Sequence, residues 1–160
     1  MTQSLSRVDV ADLGRSRVAA ELQRAGLEVS SPTQRSEAAH LVARATLDTS
    51  SRRIVYRSIR VQAATQSSFR VLRSWSNPRD AILVYTWYVT DPDKSVSFAL
   101  TYAEAERIVE RMGWHTSASW RVYGGYGTTK AERNRRLRDL IDPYRMTAQA
   151  WRDKIAGVVS

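Results

Sequence analysis

The chain has 160 residues and a formal charge of +9 at pH 7, with 25 Lys and Arg residues against 16 Asp and Glu residues. This length predicts a single domain over 1–160 with a sizeable core, and 42% hydrophobic content excludes wholesale disorder. The absence of cysteine excludes a disulfide framework and a thiolate metal site. The basic surplus favours a polyanionic partner.

The first 30 residues predict a helix followed by a short strand. Residues 8–25 carry apolar side chains at helical spacing, and Gly26 is a candidate C-cap. Residues 27–30 fit a strand and 32–37 a loop. The N-terminus has no apolar signal region, and the longest apolar run, 81–89, is too short to span a membrane. We therefore expect a cytoplasmic protein with no membrane partner.

The middle of the chain predicts strands. Two apolar-alternating runs flank a short polar turn within 40–66, which is typical of a β-hairpin. Residues 67–80 are polar and arginine-rich and end in an Asn-Pro turn signal, so they are predicted as a connection. Residues 81–89 are apolar on both faces, as in a central buried strand, and 95–100 alternate as a further strand.

The last third predicts helices. Thr101 and Glu104 have the spacing of a capping box for a helix at 101–113. Residues 130–141 predict a basic helix, and 144–155 predict a short final helix. The order of elements predicts an α/β fold with a mixed sheet.

Four short motifs carry a resemblance to a known superfamily. They are Gly14 with AAEL at 19–22, RVQ at 60–62, GGYGTTK at 124–130 and RLRDLIDPYR at 136–145. With the order of elements, they resemble the restriction-endonuclease-like (PD-(D/E)XK) superfamily, in particular small bacterial members related to group I intron homing endonucleases and Holliday junction resolvases. The resemblance implies an αβββαβ core with a mixed sheet at 8–145 and C-terminal helices, including an extension at 146–157.

The same resemblance implies a nuclease site that has lost its chemistry. Its members carry a helix Glu, a first-strand Asp and a Gln-x-Lys or Glu-x-Lys pair. Here Glu21 and Gln62 match, whereas His40 replaces the Asp and Ala64 replaces the Lys. His is a poor ligand for the hard cation Mg²⁺, and Ala64 cannot stabilise developing negative charge. We expect no intact catalytic site, no metal and no cofactor.

Two basic clusters are candidate nucleic-acid contacts, with a solvated surface as the alternative for each. Residues 44–79 hold eight arginines and one acid, Asp48, and 130–138 form a second cluster. Such cations neutralise phosphates, and Trp75 and Phe69 are candidates for base stacking. The predicted contact residues are Arg52, Arg53, Arg57, Arg60, Arg70, Arg73, Trp75, Lys130, Arg133 and Arg135.

A glycine-rich stretch and Asp48 are further candidates for phosphate and metal contacts. The glycine-rich stretch 123–129 offers backbone N–H groups for a phosphate, but a tight turn is the simpler interpretation. Asp48 is eight residues from His40, roughly 25 Å at strand rise, which disfavours it as a substitute acid.

These observations favour a nucleic-acid-binding protein, with DNA preferred over RNA, on a catalytically degenerate nuclease-like scaffold. One alternative is a Mg-dependent nuclease or junction-resolving enzyme with an unusual site built from Glu21, Gln62 and a repositioned acid; only this alternative needs Mg²⁺. Another is a protein-interaction or assembly module, for example a homodimer. Glu21 is expected to lie beside Gln62, facing the sheet, and to stabilise the fold.

Overall fold

The computed structural model describes residues 6–31, 40–48, 53–77 and 80–157. The predicted loop at 32–37 and the predicted contact Arg52 lie outside these residues. Of the helices in the described ranges, none combines the length and the apolar character that a bilayer span requires.

The described strands form two sheets. The main sheet has the order β1-β2-β3-β5-β6, in which β3 and β5 are parallel and the other neighbours are antiparallel. A second sheet pairs β4 with β7. The α/β fold with a mixed sheet is therefore confirmed. The strands are β1 (Glu28–Ser30), β2 (Leu41–Asp48), β3 (Arg53–Ala63), β4 (Phe69–Leu72), β5 (Ile82–Trp87), β6 (Val96–Thr101) and β7 (Gly125–Thr128).

The helices begin where polar side chains cap them. Ser6 and Asp9 form a capping box at the first helix, and Thr101 with Glu104 forms the one predicted from sequence. Asn134 and Thr147 cap the last two helices, so C-terminal helices are confirmed. The helices are α1 (Arg7–Arg24), α2 (Tyr102–Arg111), α3 (Ala118–Tyr123), α4 (Arg135–Ile141) and α5 (Ala148–Ala156).

The main sheet has two buried faces, because side chains alternate along each strand. We call one the α1 face: its cluster joins strand residues such as Val61 and Val84 to Leu22 of α1 and Trp151 of α5. The other is the β4 face, whose cluster contains Tyr85 and other aromatic residues of β4, β5, β6 and the helices that follow. Strand β5 contributes to both clusters and is buried throughout, as predicted.

Gly14 brings α1 unusually close to β3. A Cβ atom at this position would lie 2.3 Å from Cβ of Ala63, closer than side-chain atoms can pack. The glycine therefore fixes the depth at which α1 sits on the α1 face, and it places the N-terminal turn of α1 near the end of β3.

The prediction that residues 67–80 form only a connection is wrong. Phe69 and Val71 are buried while Arg70 between them is exposed, which is a strand pattern only four residues long. Its partner β7 occupies Gly125–Thr128, so most of the stretch 123–129, predicted as a tight turn, is a strand. A Cβ at Gly127 would lie 2.8 Å from Cβ of Arg70, so the glycine permits the two backbones to pair closely.

The predicted basic helix at 130–141 is also corrected. It divides into a 3-10 turn at Ala131–Arg133 and helix α4 from Arg135. Asn134 is the N-cap of α4: its side-chain oxygen accepts a hydrogen bond from the backbone N–H of Leu137, 3.1 Å away, so the helix begins only at Arg135. Lys130 and Arg133 consequently belong to a loop-like segment rather than to the face of a helix.

Candidate nucleic-acid interface

A cleft of about 1160 Å³ opens where β3 ends, and we call it the basic cleft. Its walls come from the start of α1, His40, residues 61–68, Arg70, Tyr88, Lys94 and the segment 129–133. These parts are distant in sequence and meet because the start of α1, the end of β3 and the start of β4 lie on the same side of the molecule.

The charge of the basic cleft is strongly asymmetric. Five cationic side chains line its described part, all of them exposed, against a single carboxylate, that of Glu132. Exposed cations around a concave surface attract polyanions and retain the reach to neutralise separate phosphates. The five are Arg7, Arg70, Lys94, Lys130 and Arg133.

Contacts around Tyr88 hold the rim of the cleft. Tyr88 has φ of 55°, a left-handed conformation that costs a non-glycine residue on the order of 1 kcal/mol or more. Its N–H donates to the carbonyl of Gln66 at 3.1 Å, and its hydroxyl donates to the carboxylate of Glu132. The ammonium of Lys94 lies 5.1 Å from the centre of the Tyr88 ring. The carboxylate of Glu132 is thus engaged in orienting the wall.

A second bond joins the two walls. The backbone N–H of Glu132 donates to the hydroxyl of Ser67 at 2.9 Å, and Ser67 is buried. This bond ties the segment 129–133 to the loop after β3. The cations on either side are therefore carried by a preformed frame rather than by two independent loops.

Three of the four positions implied by the nuclease resemblance lie at this cleft, namely His40, Gln62 and Ala64. The N–H of Val61 donates to Nδ1 of His40 at 2.8 Å. Ala64 is fixed by backbone bonds to Thr86 and Val89, at 3.0 and 3.2 Å. The hairpin and the two residues that flank it thus bring these three positions to one cleft.

His40 is poorly suited to replace an acid. Burial lowers the pKa of His40, and the positive charges of Arg60 and Arg15 lower it further. Its Nδ1 accepts the Val61 N–H, so this ring nitrogen is already engaged by the backbone. A neutral ring with one nitrogen engaged supplies no negative charge for Mg²⁺.

The prediction that Glu21 lies beside Gln62 is wrong. The Glu21 carboxylate accepts a hydrogen bond from the hydroxyl of Ser97 at 2.6 Å, and that hydroxyl is 3.0 Å from the hydroxyl of Thr86. This group lies on the α1 face. Gln62 follows Val61, which packs on the α1 face, so Gln62 points to the β4 face. Helix α1 crosses the sheet, and residue 21 reaches β6 instead of β3.

An arginine of helix α1 is linked to Ala64 through Val89. The Arg17 guanidinium donates to the carbonyl of Val89, whose own N–H donates to the carbonyl of Ala64. The positive charge of Arg17 therefore lies one residue's backbone away from Ala64. Mg²⁺ does not fit the residues around Ala64, because a cation repels it and the cleft's described carboxylate is bound to Tyr88.

No acid elsewhere completes a metal site among the described residues. Within 6–31, 40–48, 53–77 and 80–157, no three His, Cys, Asp or Glu side chains come together in a way that could hold a metal ion. The backbone of Asp48 pairs with Arg53 at the opposite end of the hairpin from His40.

The predicted nucleic-acid contacts divide between several surfaces. Arg70, Lys130 and Arg133 line the basic cleft, and Arg60 reaches the β4 face beside it, with its guanidinium 5.1 Å from the centre of the Trp75 ring. Arg53 lies at the far end of the hairpin.

Three other arginines lie away from the cleft. The Arg57 guanidinium donates to the carbonyl of Ile155 at 3.2 Å, on the α1 face, where it caps the end of α5. Arg73 lines a separate pocket with Tyr102. Arg135 lies on α4 and is not part of the cleft wall. Arg57 and Arg60 lie on opposite faces of the sheet because they are three residues apart along β3, where side chains alternate between the two faces.

The stacking role predicted for Trp75 and Phe69 is wrong. Trp75 is 6% exposed and lies beneath Arg60, and Phe69 is fully buried against Tyr85. Both rings belong to the core cluster of the β4 face. Sequence inspection missed Arg7 and Lys94, since neither lies in a basic run and only the tertiary structure brings them to the cleft.

Comparison of the chain with known protein families, with curated proteins and with solved structures finds no match. Function is therefore inferred from the residues of the cleft themselves.

Proposed function

We propose that the protein binds nucleic acid, DNA in preference to RNA, in the basic cleft and does not hydrolyse it. The observation that carries the proposal is the convergence of five exposed cations, with a single carboxylate, among the described residues that line one cleft. Phosphate neutralisation with release of counterions is the main source of affinity in such complexes. The preference for DNA rests on the nuclease resemblance of the hairpin that forms one wall.

We expect no hydrolysis because the described lining of the cleft lacks a carboxylate pair, and Ala64 stands in place of the lysine that would help to activate water. Glu21 bonds to Ser97 on the α1 face, and Arg17 on the same helix donates to the carbonyl of Val89. Metal-dependent cleavage needs oxygen ligands around Mg²⁺ and a cation at the scissile phosphate. The nuclease alternative built on Glu21 and Gln62 loses its support, because these two side chains lie on opposite faces of the sheet.

The proposal is tested by fluorescence anisotropy with a blunt 20-base-pair DNA duplex and its RNA counterpart, between roughly 50 and 200 mM salt. If all five cations contact phosphates, the slope of log affinity against log salt is about −4.5, so affinity falls about 500-fold across this range. The same mixtures with Mg²⁺ or Mn²⁺ are run on a denaturing gel, where we expect intact strands and tighter binding to DNA than to RNA.

Two results would contradict the proposal. Absence of binding to either duplex at the lowest salt would remove the nucleic-acid function and favour a protein-interaction module. Strand cleavage that is lost in a Glu21→Ala variant would restore the nuclease alternative.

A further inference from the structure

The hairpin formed by β2 and β3 has one open face. Helix α5 contacts both strands on the α1 face. On the β4 face, Ile54 and Tyr56 are 42% and 58% exposed. Because side chains alternate along β3, Ile54, Tyr56, Arg60 and Gln62 share this face. The open face therefore leads from the exposed end of the hairpin, past Arg60, into the basic cleft.

Tyr56 has a charged neighbour on this face. Arg44 is its direct partner on β2, so the two side chains lie on the same face of the hairpin. The Arg44 guanidinium pairs with the carboxylate of Glu28 at 2.5 Å. The charge of Arg44 is therefore balanced by Glu28, while the cations of the cleft supply the net positive charge. A tyrosine ring has only two rotatable side-chain bonds, so it loses little freedom when a base stacks on it.

We propose that the open face is a stacking site for a single-stranded extension of the nucleic acid in the basic cleft, with Tyr56 as the aromatic platform. The proposal rests on the proposed function. An exposed ring on the strand that leads into a cleft lined by five described cations has the two parts of a single-strand site: a platform for any base and a cationic track for the backbone.

The spacing sets the length of the extension. Tyr56 lies six residues before Gln62, which is about 20 Å at strand rise. A stacked strand advances about 3.4 Å per nucleotide, so about six unpaired nucleotides reach from the cleft to Tyr56. Extensions shorter than this stay within the cleft and leave the ring without a base.

The test compares a blunt duplex with the same duplex carrying extensions of increasing length, with the full chain in each case. Affinity is expected to rise with extension length and to level off at about six nucleotides. Tyr56→Ala is expected to lower the affinity for the long extension about 10-fold and to leave the affinity for the blunt duplex unchanged. Tyr56→Phe, which keeps the ring, is expected to retain most of the gain.

Tyr123→Ala is the matched control, because Tyr123 is 84% exposed at the end of α3 and outside the cleft. If the extension adds nothing, or if Tyr56→Ala has no effect on it while blunt-duplex binding persists, the inference is overturned and the proposed function stands. If Tyr56→Ala instead dissociates a dimer, measured by light scattering, with extension binding unchanged, the open face binds a second copy. Absence of binding to the blunt duplex would overturn both.

Discussion

A Lys130→Glu, Arg133→Glu double variant is expected to bind duplex DNA about 100-fold more weakly than the wild type at moderate salt. Both side chains are exposed and line the basic cleft from the segment that Glu132 ties to Ser67. Their reversal removes two phosphate contacts and adds two repulsive charges. The slope of log affinity against log salt should fall in magnitude by about two.

The matched control is Arg107→Glu with Arg111→Glu on α2. These two side chains are exposed, lie outside the lining of the cleft and change the net charge by the same amount. The control should therefore lose only the small part of affinity that depends on total charge. Equal losses in both variants would mean that DNA is attracted by the whole protein and that the cleft has no special part in binding.

Glu21→Gln is expected to raise the free energy of unfolding at pH 7 by on the order of 1 kcal/mol. Burial raises the pKa of Glu21, against the opposing effects of the Ser97 hydrogen bond and the charge of Arg24. Burial of the charged form is therefore costly. Gln keeps the volume and still accepts the hydrogen bond from the Ser97 hydroxyl, but it carries no charge.

The stability difference between the Gln variant and the wild type is expected to depend on pH. Because the pKa of Glu21 is raised in the folded protein, the protonated acid favours folding below its ordinary pKa of 4.5, and this contribution is lost as pH rises through the folded pKa. The Gln variant should match the wild type near pH 4 and exceed it at pH 7, as measured by denaturant unfolding. Glu110→Gln, at an exposed position on α2, should show no such divergence. A Gln variant less stable than the wild type at pH 7 would mean that the carboxylate charge is needed for the fold.

Much of the fold follows from local patterns. The capping box at Thr101 and Glu104, the buried strand β5 and the hairpin each depend on a few adjacent residues, and the structure confirms them. Strand β4 was missed because its four residues carry only one full alternation, Phe69 to Val71. Its partner β7 was missed because glycines are poor strand formers by propensity, and here they are required by the closeness of the two backbones.

The site was predictable only in part. The hairpin predicted from the sequence carries Gln62 at its end, and the structure brings Gln62, Ala64 and His40 to the lining of one cleft. The position of Glu21 was wrong because helical periodicity shows which residues face a sheet but not which strand each residue meets. The contributions of Arg7 and Lys94 depend on how the start of α1 and the turn between β5 and β6 come together, which no local pattern encodes.

Hydrogen exchange of the protein with and without saturating blunt DNA duplex is the most direct test that the basic cleft is the binding surface. Bound DNA is expected to slow exchange of the backbone amides at 64–68 and 129–133, which form the two walls. Amides of α5, which packs on the α1 face, should exchange as in the free protein. Slowed exchange confined to α5, or unchanged exchange at both walls while DNA is bound, would contradict this account.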